Sequence, residues 1–271
     1  METLRKGKTS RLITSPEREN PIQPNDLSSI ESAVVDAVSS SGMDSDGSGE
    51  LMTVTERFSQ NYVHPEIDCR PVKYAAAKRV FDVVFASTVL VASAPIMLVT
   101  ALIIPLTSRG PSVFRQVRVG RGGRYFTCYK FRSMCADAED QKRRFQHLNE
   151  MDGPVFKIKR DPRITRIGAF IRKFSIDELP QLVNVIKGDM SIVGPRPPVP
   201  SEVEKYGKHE RGRLAVHPGL TCLWQINGRS NIAFEQWVEL DLQYIDNMSF
   251  MTDLNIVAKT IPAVITGNGA H

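Results

Sequence analysis

A run without a charged side chain, from Val83 to Leu106, limits this chain to a small number of folds. As a helix its twenty-four residues extend about 36 Å, which exceeds the roughly 30 Å of a bilayer's hydrocarbon core. A buried helix of a water-soluble protein is the alternative, but such helices are seldom this long and this apolar. The run therefore predicts a segment that enters a membrane.

Two features of this run argue against a straight crossing. Pro95 lies near its middle, shortly after Ser93, where it removes a backbone hydrogen bond and kinks the helix. Basic residues flank both ends, and basic flanks favour the cytoplasm. They are Arg70, Lys73, Lys78 and Arg79 before the run and Arg109, Arg115, Arg118, Arg121 and Arg124 after it. We therefore expect residues 71–110 to form a re-entrant helical hairpin, broken at Ser93 and Pro95, with Asp82 paired to Arg79 or a neighbouring cation.

The N-terminal quarter of the chain has a different composition. Residues 1–70 are rich in Ser, Pro, Asp, Glu and Asn, and the low-complexity segment 39–50 cannot bury enough apolar surface to offset chain entropy. We expect a disordered polar tail. No apolar run follows the basic residues 1–11, so no signal peptide is predicted. The four cysteines lack metal-type spacing, which favours reduced thiols in a protein facing the cytoplasm.

A basic stretch followed by two carboxylates carries the chemistry. Between positions 157 and 173 the only acid, Asp161, stands among Lys157, Lys159, Arg160, Arg163, Arg166, Arg172 and Lys173. The adjacent carboxylates Asp177 and Glu178 follow, and then Arg196 between prolines. Crowded cations suit a ligand with several phosphates, and carboxylates beside them stay ionised. Such carboxylates can hold a divalent metal or attack phosphorus, which predicts phosphoryl chemistry on a nucleotide-like substrate.

Structural explanations exist for the same residues. Ser175 and Glu178 have the spacing of a capping box at a helix start, and a solvated basic face explains many Lys/Arg runs. Apolar residues such as Ile167 and Phe170 interrupt the basic ones, which indicates a folded surface. The net charge of +5 and pI near 9.0 suit an anionic ligand or membrane surface. With so modest a charge and no recognition module, we expect no nucleic-acid partner.

The remaining segments predict small elements around this stretch. Alternation in 113–119 and 125–132 around the turn 120–123 predicts a β-hairpin that places Lys130 and Arg132 on one face. Polar or charged helices are expected over 136–150 and 203–214. Amphipathic helices are expected over 234–248 and 253–265, with an interfacial or a core position left open. The predicted fold is α+β, mainly helical: a monotopic membrane protein in which residues 111–271 form a cytoplasmic catalytic domain.

From Lys78 onward the sequence resembles the bacterial sugar transferase family, the monotopic phosphoglycosyl transferases. The matching segments are KRVFDVV, the apolar run with its proline, VFRQVRVGRGGRYFTCYKFRSM, residues 153–200, HPGLTCLWQINGRS and ELDLQYIDNMSF. The resemblance implies that a UDP-sugar gives its sugar 1-phosphate to polyprenyl (undecaprenyl) phosphate and releases UMP. It also implies association with lipid of the inner membrane at its cytoplasmic face.

The resemblance also implies roles for individual residues. Asp177 would be the nucleophile, forming an aspartyl phosphosugar, and Glu178 the base for the polyprenyl phosphate. Mg²⁺ would sit against Asp177 and the diphosphate. Arg196 would reach a phosphate or the uridine. The candidates for phosphate binding are Lys130, Arg132, Arg160, Arg163 and Arg172.

Several points stay open at the level of sequence. The pattern is most like hexose 1-phosphate transferases of exopolysaccharide pathways, but the sugar is not fixed. A homodimer is one alternative for the oligomeric state. Competing functions are a membrane-anchored glycosyltransferase that releases UDP and a non-catalytic scaffold for polysaccharide assembly.

Overall fold

The computed structural model describes residues 67–142, 144–226 and 233–266. The expected tail, 1–70, lies almost wholly outside these residues, so its disorder stays a prediction. The helices and strands are α1 (Ala75–Thr107), β1 (Val113–Val119), β2 (Tyr125–Phe131), α2 (Ala138–Lys142), α3 (Arg166–Lys173), α4 (Gln181–Lys187), β3 (Ser191–Val193), α5 (Pro200–Val203), α6 (Lys208–Arg211), β4 (Gly219–Thr221), α7 (Leu223–Ile226), α8 (Phe234–Asp246) and α9 (Phe250–Thr266). Single 3-10 turns occupy Arg121–Gly123, Gln146–Leu148, Ile176–Glu178 and Gly212–Ala215.

The charge-free run lies within α1, which is helical on both sides of Pro95 and includes Pro95 itself. Its most apolar window has a mean hydropathy of 2.4, and only 11% of that window is buried inside the protein. By length and composition α1 can enter a membrane, as predicted. The hairpin and its break at Ser93 and Pro95 stay predictions.

Both ends of α1 contact the rest of the protein. At its first turn Lys78 donates to Asp253 of α9 at 2.7 Å. Asp82 accepts from the backbone N–H of Ile192 at 3.0 Å, whereas Arg79 donates to the carbonyls of Val185 and Ile186. The structure thus gives both residues backbone partners in place of the expected Asp82–Arg79 pair, and pairing of Asp82 with another cation stays a prediction. At the far end Ile104 is buried against Phe131 of β2. Buried polar and apolar contacts thus fix both ends.

The predicted β-hairpin is confirmed. β1 and β2 pair antiparallel in a register that places Val113 opposite Phe131 and Val119 opposite Tyr125. The connecting turn contains Gly122 at φ 67°, a left-handed conformation that glycine adopts without steric cost. The fully buried Asn184 of α4 covers the free edge of β2: its amide donates to the carbonyl of Thr127 at 2.7 Å and its oxygen accepts from the N–H of Tyr129 at 3.1 Å. These two hydrogen bonds occupy strand groups that could otherwise pair with another chain.

The main core lies between α1, α4, β3, α8 and α9. β3 pairs parallel with β4, Ser191 opposite Gly219 and Val193 opposite Thr221. The buried apolar side chains of this core are Ala86, Cys128, Leu182, Val185, Met190, Ile192, Val193, Val216, Tyr244, Ile245, Ile256 and Val257. Burial of these side chains positions the segment between α4 and β4 against the first half of α1.

Two predicted helices differ from the observed ones. The segment 136–150 contains only α2 and a 3-10 turn in its described part, and 203–214 divides among α5, α6 and a 3-10 turn. A third predicted helix, α8, is helical as expected, and its apolar face packs inward, because Trp237 and Tyr244 are 5% and 2% exposed. This face therefore belongs to the core, and the interfacial alternative does not apply to it. On α9, by contrast, Met251 is 70% exposed and Ile261 51% exposed.

Candidate active site

The carboxylates Asp177 and Glu178 lie on the 3-10 turn between α3 and α4. The α3 helix begins at an N-cap where Thr165 Oγ1 accepts from the N–H of Gly168. A Cβ at position 168 would lie 1.8 Å from the Ser133 carbonyl oxygen, so glycine allows α3 to approach the end of β2. The chain then reverses at Ser175, whose φ of 53° is left-handed and disfavoured for a non-glycine residue. This sharp turn places Asp177 and Glu178 against the β-hairpin.

The capping-box explanation of Ser175 and Glu178 does not hold in the structure. The Ser175 side chain makes no capping hydrogen bond. The Glu178 carboxylate instead accepts from Lys130 Nζ of β2 at 2.8 Å. Glu178 is therefore part of a charged cluster, and its side chain does not cap a helix.

The two neighbouring carboxylates have opposite pKa shifts. Burial and the nearby charge of Glu178 raise the pKa of Asp177 to about 6, against the opposing effects of Lys130 and Arg172. Burial also acts to raise the pKa of Glu178, but Lys130 and Arg196 outweigh it and hold that pKa below its ordinary value. The site therefore separates an ionised Glu178 from an Asp177 that titrates closer to neutral pH, the kind of difference found between catalytic carboxyl groups.

A cavity of about 580 Å³ adjoins these carboxylates. Four of the six cations predicted to bind phosphate line it: Lys130, Arg163, Arg172 and Arg196. Lys157, which we did not assign to the site from the sequence, lines it as well. The structure thus gathers cations from β2, the 157–173 stretch and the proline-flanked loop around one pair of carboxylates, as a polyphosphate ligand requires.

Two predicted phosphate ligands lie elsewhere in the structure. Arg132 donates to the backbone carbonyls of Ser108 and Arg109, beside the end of α1, and does not line the cavity. Arg160 is exposed and also lies outside the cavity lining. Arg163 lines the cavity, but its guanidinium already forms two hydrogen bonds to Asp161, at 2.9 and 2.6 Å. Sequence spacing gave no sign that Arg132 fixes the end of α1.

Arg196 is held by contacts that the sequence did not reveal. Its guanidinium lies 5.3 Å from the Trp237 ring centroid and 3.4 Å from the Glu202 carboxylate. A second guanidinium, that of Arg213, lies 5.5 Å from the same ring and pairs with the buried Asp241 at 2.8 Å. Arg213 and Asp241 are 28 positions apart, and no local pattern links them.

Arg118 is a further buried cation beside the site. It donates to the Pro197 carbonyl at 2.7 Å, next to Arg196 in the chain. Burial, together with the charge of Arg196, lowers the pKa of Arg118 to about 10. Its positive charge helps to keep the pKa of Glu178 low. The alternation of β1 alone did not distinguish Arg118 from its neighbours.

The Arg213–Asp241 pair yields a stability prediction. Asp241→Ala should lower the free energy of unfolding by about 3–5 kcal/mol, because it leaves the Arg213 guanidinium buried without a counter-charge. The measurement is the thermal unfolding midpoint in detergent. The matched control is Glu239→Ala, because the side chains of the His209–Glu239 pair are 61% and 62% exposed. Loss of this pair should change the free energy of unfolding by less than about 0.5 kcal/mol. Equal effects of the two variants would contradict the prediction.

Comparison with known proteins identifies the family. The sequence profile of the bacterial sugar transferases matches residues 73–267. The chain is 54% identical over 162 residues to galactosyl transferase CpsE of Streptococcus agalactiae, an alignment that covers 59% of this chain and 36% of CpsE. It is 41% identical over 227 residues to the exopolysaccharide production protein ExoY of Rhizobium meliloti, covering 82% of this chain and 100% of ExoY.

A third relative is the undecaprenyl-phosphate galactose phosphotransferase of Salmonella typhimurium. It is 40% identical over 204 residues, covering 72% of this chain and 41% of that enzyme. The chain thus spans less than half the length of the Streptococcus and Salmonella relatives and the full length of ExoY. The resemblance seen in the sequence is confirmed: this chain belongs to the bacterial sugar transferase family.

Proposed function

We propose that this protein transfers a hexose 1-phosphate from a UDP-sugar to polyprenyl phosphate and releases UMP, as a membrane step of exopolysaccharide assembly. The observation that carries the proposal is a buried carboxylate, Asp177, at a cation-lined cavity to which α1 also contributes side chains. Relatives named undecaprenyl-phosphate galactose phosphotransferase and UDP-galactose-lipid carrier transferase support this donor and acceptor. UDP-galactose is accordingly the first donor to test.

In the first half-reaction an Asp177 oxygen attacks the β-phosphorus of the UDP-sugar. The new Asp–phosphorus bond replaces the bond from that phosphorus to the bridging oxygen, which leaves with UMP. Lys130, Arg172 and Arg196, all at the cavity, neutralise charge on the phosphates. Burial of Asp177 removes part of the water that would surround its carboxylate. Once ionised, the carboxylate is therefore a more reactive nucleophile than one in bulk water.

In the second half-reaction a phosphate oxygen of polyprenyl phosphate attacks the same phosphorus and displaces the Asp177 carboxylate. Glu178 is the base that takes the proton from that phosphate. Its lowered pKa keeps it ionised, which is the form that can take the proton, although the same shift makes it a weaker base. Glu178 then loses that proton to solvent, and the products are a polyprenyl diphosphate sugar and the regenerated enzyme.

The residues of the cavity fit a magnesium ion that arrives with the diphosphate. In the described parts of the chain, no cluster of three or more acidic, His or Cys side chains could hold a metal. Mg²⁺ is commonly bound through one or two carboxylates together with substrate phosphates. Asp177 would hold it here, and the ion would neutralise charge on the leaving UMP.

We also propose that α1 is re-entrant and that the cavity faces the cytoplasm at the inner membrane. In a straight helix the chain from Lys78 to Ile104 would span about 39 Å. Both residues are nevertheless buried against the rest of the protein, Lys78 against β3 and α9 and Ile104 against Phe131 of β2. The far end has a further contact: Ser112 Oγ donates to the Ala101 carbonyl, an oxygen that Pro105 cannot satisfy because it lacks an N–H.

Substitution of the nucleophile tests the reaction. Asp177→Asn should reduce UMP release by about 10³-fold or more, because an amide cannot form the covalent intermediate. UMP and UDP are separated chromatographically after incubating detergent-solubilised protein with UDP-galactose, Mg²⁺ and undecaprenyl phosphate. Intact mass of the wild type, quenched without acceptor, should show an added hexose phosphate that the variant lacks. Release of UDP in place of UMP would favour a membrane-anchored glycosyltransferase. The absence of turnover with every UDP-sugar tested would favour a non-catalytic scaffold.

The lysine that contacts Glu178 should set the pH dependence. Lys130 lowers the pKa of both carboxyl groups, so Lys130→Met should raise both. Because Asp177 must be ionised to attack, the acidic limb of the pH profile for UMP release should move to higher pH, measured at one fixed magnesium concentration. Lys187→Met is the control, since Lys187 lies outside the cavity lining. An unchanged limb would contradict the electrostatic role of Lys130.

Cysteine labelling tests the topology of α1. In a cysteine-free background, Lys73→Cys and Arg109→Cys should both react with a membrane-impermeant maleimide in inverted inner-membrane vesicles, and neither in intact spheroplasts. Labelling of the two positions from opposite sides would establish a straight crossing. Adding Pro95→Leu should move one flank to the other side; if both stay cytoplasmic, proline is not what turns the helix.

A further inference from the structure

The cavity beside Asp177 has an apolar side that the chemistry of a nucleotide sugar does not explain. Phe85 and Val89 of α1 line it on one flank, and Val257, Ile261 and Val264 of α9 line it on the other. On α1 the two lining residues are four positions apart, and on α9 the successive lining residues are four and then three positions apart. Each helix therefore presents one continuous apolar stripe to the same space.

Among the described residues between these stripes, the threonine hydroxyl groups have hydrogen-bond partners. Ile192 and Leu220 contribute apolar side chains from β3 and β4. The two threonines on this side, Thr221 and Thr260, are hydrogen-bonded to each other at 2.7 Å between their Oγ1 atoms. Since these hydroxyls already have partners, this side of the cavity suits hydrocarbon better than a sugar or a nucleobase.

The mouth of this apolar side continues into apolar surface. Ile261, which lines the cavity, is 51% exposed, and on the same helix Leu254 is 43% exposed. On α1, Val84 and Val91 are 60% and 74% exposed, on a different face from the Phe85 and Val89 stripe. Apolar exposure on a helix that can enter a membrane indicates a lipid-facing surface. Ile261, at the edge of the cavity, therefore offers an apolar entrance for hydrocarbon from the bilayer.

We propose that the space between α1 and α9 holds the first isoprene units of the polyprenyl phosphate acceptor. The polar end of the same cavity, with Lys130 and Glu178, then receives its phosphate. A ligand with a charged head and a hydrocarbon tail matches this division of one cavity into two chemical halves. The assignment rests on the proposed function for the identity of the acceptor, and it adds the path of the chain.

A pair of charge insertions on α9 tests the proposal. Ile261→Glu places a carboxylate at the mouth of the apolar side. Leu254→Glu places the same charge on the same helix at a residue that does not line the cavity. Both positions are exposed, so neither change should disturb folding. The two variants should lose membrane affinity to a similar degree, which makes Leu254→Glu the control for partitioning.

Two reactions are compared for each variant in detergent. The first is exchange of labelled UMP into UDP-galactose without acceptor, which reports the donor half-reaction. The second is transfer to undecaprenyl phosphate. Ile261→Glu should raise the KM for undecaprenyl phosphate about tenfold or more while exchange persists, and Leu254→Glu should leave both near wild type. Equal effects of both variants, loss of exchange in Ile261→Glu, or no rise in KM would each overturn the proposal.

Photocrosslinking of the wild-type protein supplies a readout that does not depend on activity. A polyprenyl phosphate with a diazirine on its first isoprene unit should label peptides containing 85–89 or 257–264. Labelling confined to other segments would overturn the proposal even if the Glu variants misfold. Failure of the proposed function has a different signature, because wild-type protein would then show no UMP exchange or would release UDP, whatever the crosslinking pattern.

Discussion

A buried lysine near the start of the apolar helix α1 connects that helix to the rest of the protein. Lys78 Nζ lies 2.7 Å from the Asp253 carboxylate and 3.1 Å from the Val193 carbonyl, and Tyr244 donates to the same carboxylate at 2.6 Å. One ammonium thus joins α1, α9 and β3. A buried charge is tolerated only when it is paired and hydrogen-bonded, so these elements are held in a single arrangement. Val193 lies three residues before Arg196, so the same contact helps to place the cationic loop.

At the candidate active site the balance between burial and pairing produces a chemical difference between two adjacent residues. Asp177 is a buried carboxyl group and Glu178 a partly buried one, and of the two Glu178 has a lysine in hydrogen-bonding contact. Desolvation dominates for Asp177, and neighbouring cations dominate for Glu178. The left-handed backbone of Ser175 contributes to the sharp turn that brings both carboxylates to the β-hairpin. A strained residue at such a turn is typical of functional sites.

Elements that show a short-range pattern in the sequence were predicted well. The β-hairpin followed from strict alternation around glycines, and the apolar helix from its length and composition. The cationic cavity followed in outline, because Lys130, Arg172 and Arg196 do meet Asp177 and Glu178. What sequence could not supply was the tertiary partner of each charge. Arg132 satisfies helix-end carbonyls and Arg163 pairs with Asp161, and spacing alone cannot separate these structural uses from ligand binding.

The two amphipathic helices near the C-terminus show why periodicity leaves location open. Both α8 and α9 carry one apolar face, but Trp237 and Tyr244 of α8 are enclosed by the core, whereas Met251 and Ile261 of α9 are not. An apolar stripe indicates only that one face of the helix is buried away from water, and either protein or lipid can cover that face. Lys78 ties the start of α9 to the start of α1. The exposed face of α9 therefore belongs to a helix anchored beside one that can enter a membrane by its length and composition.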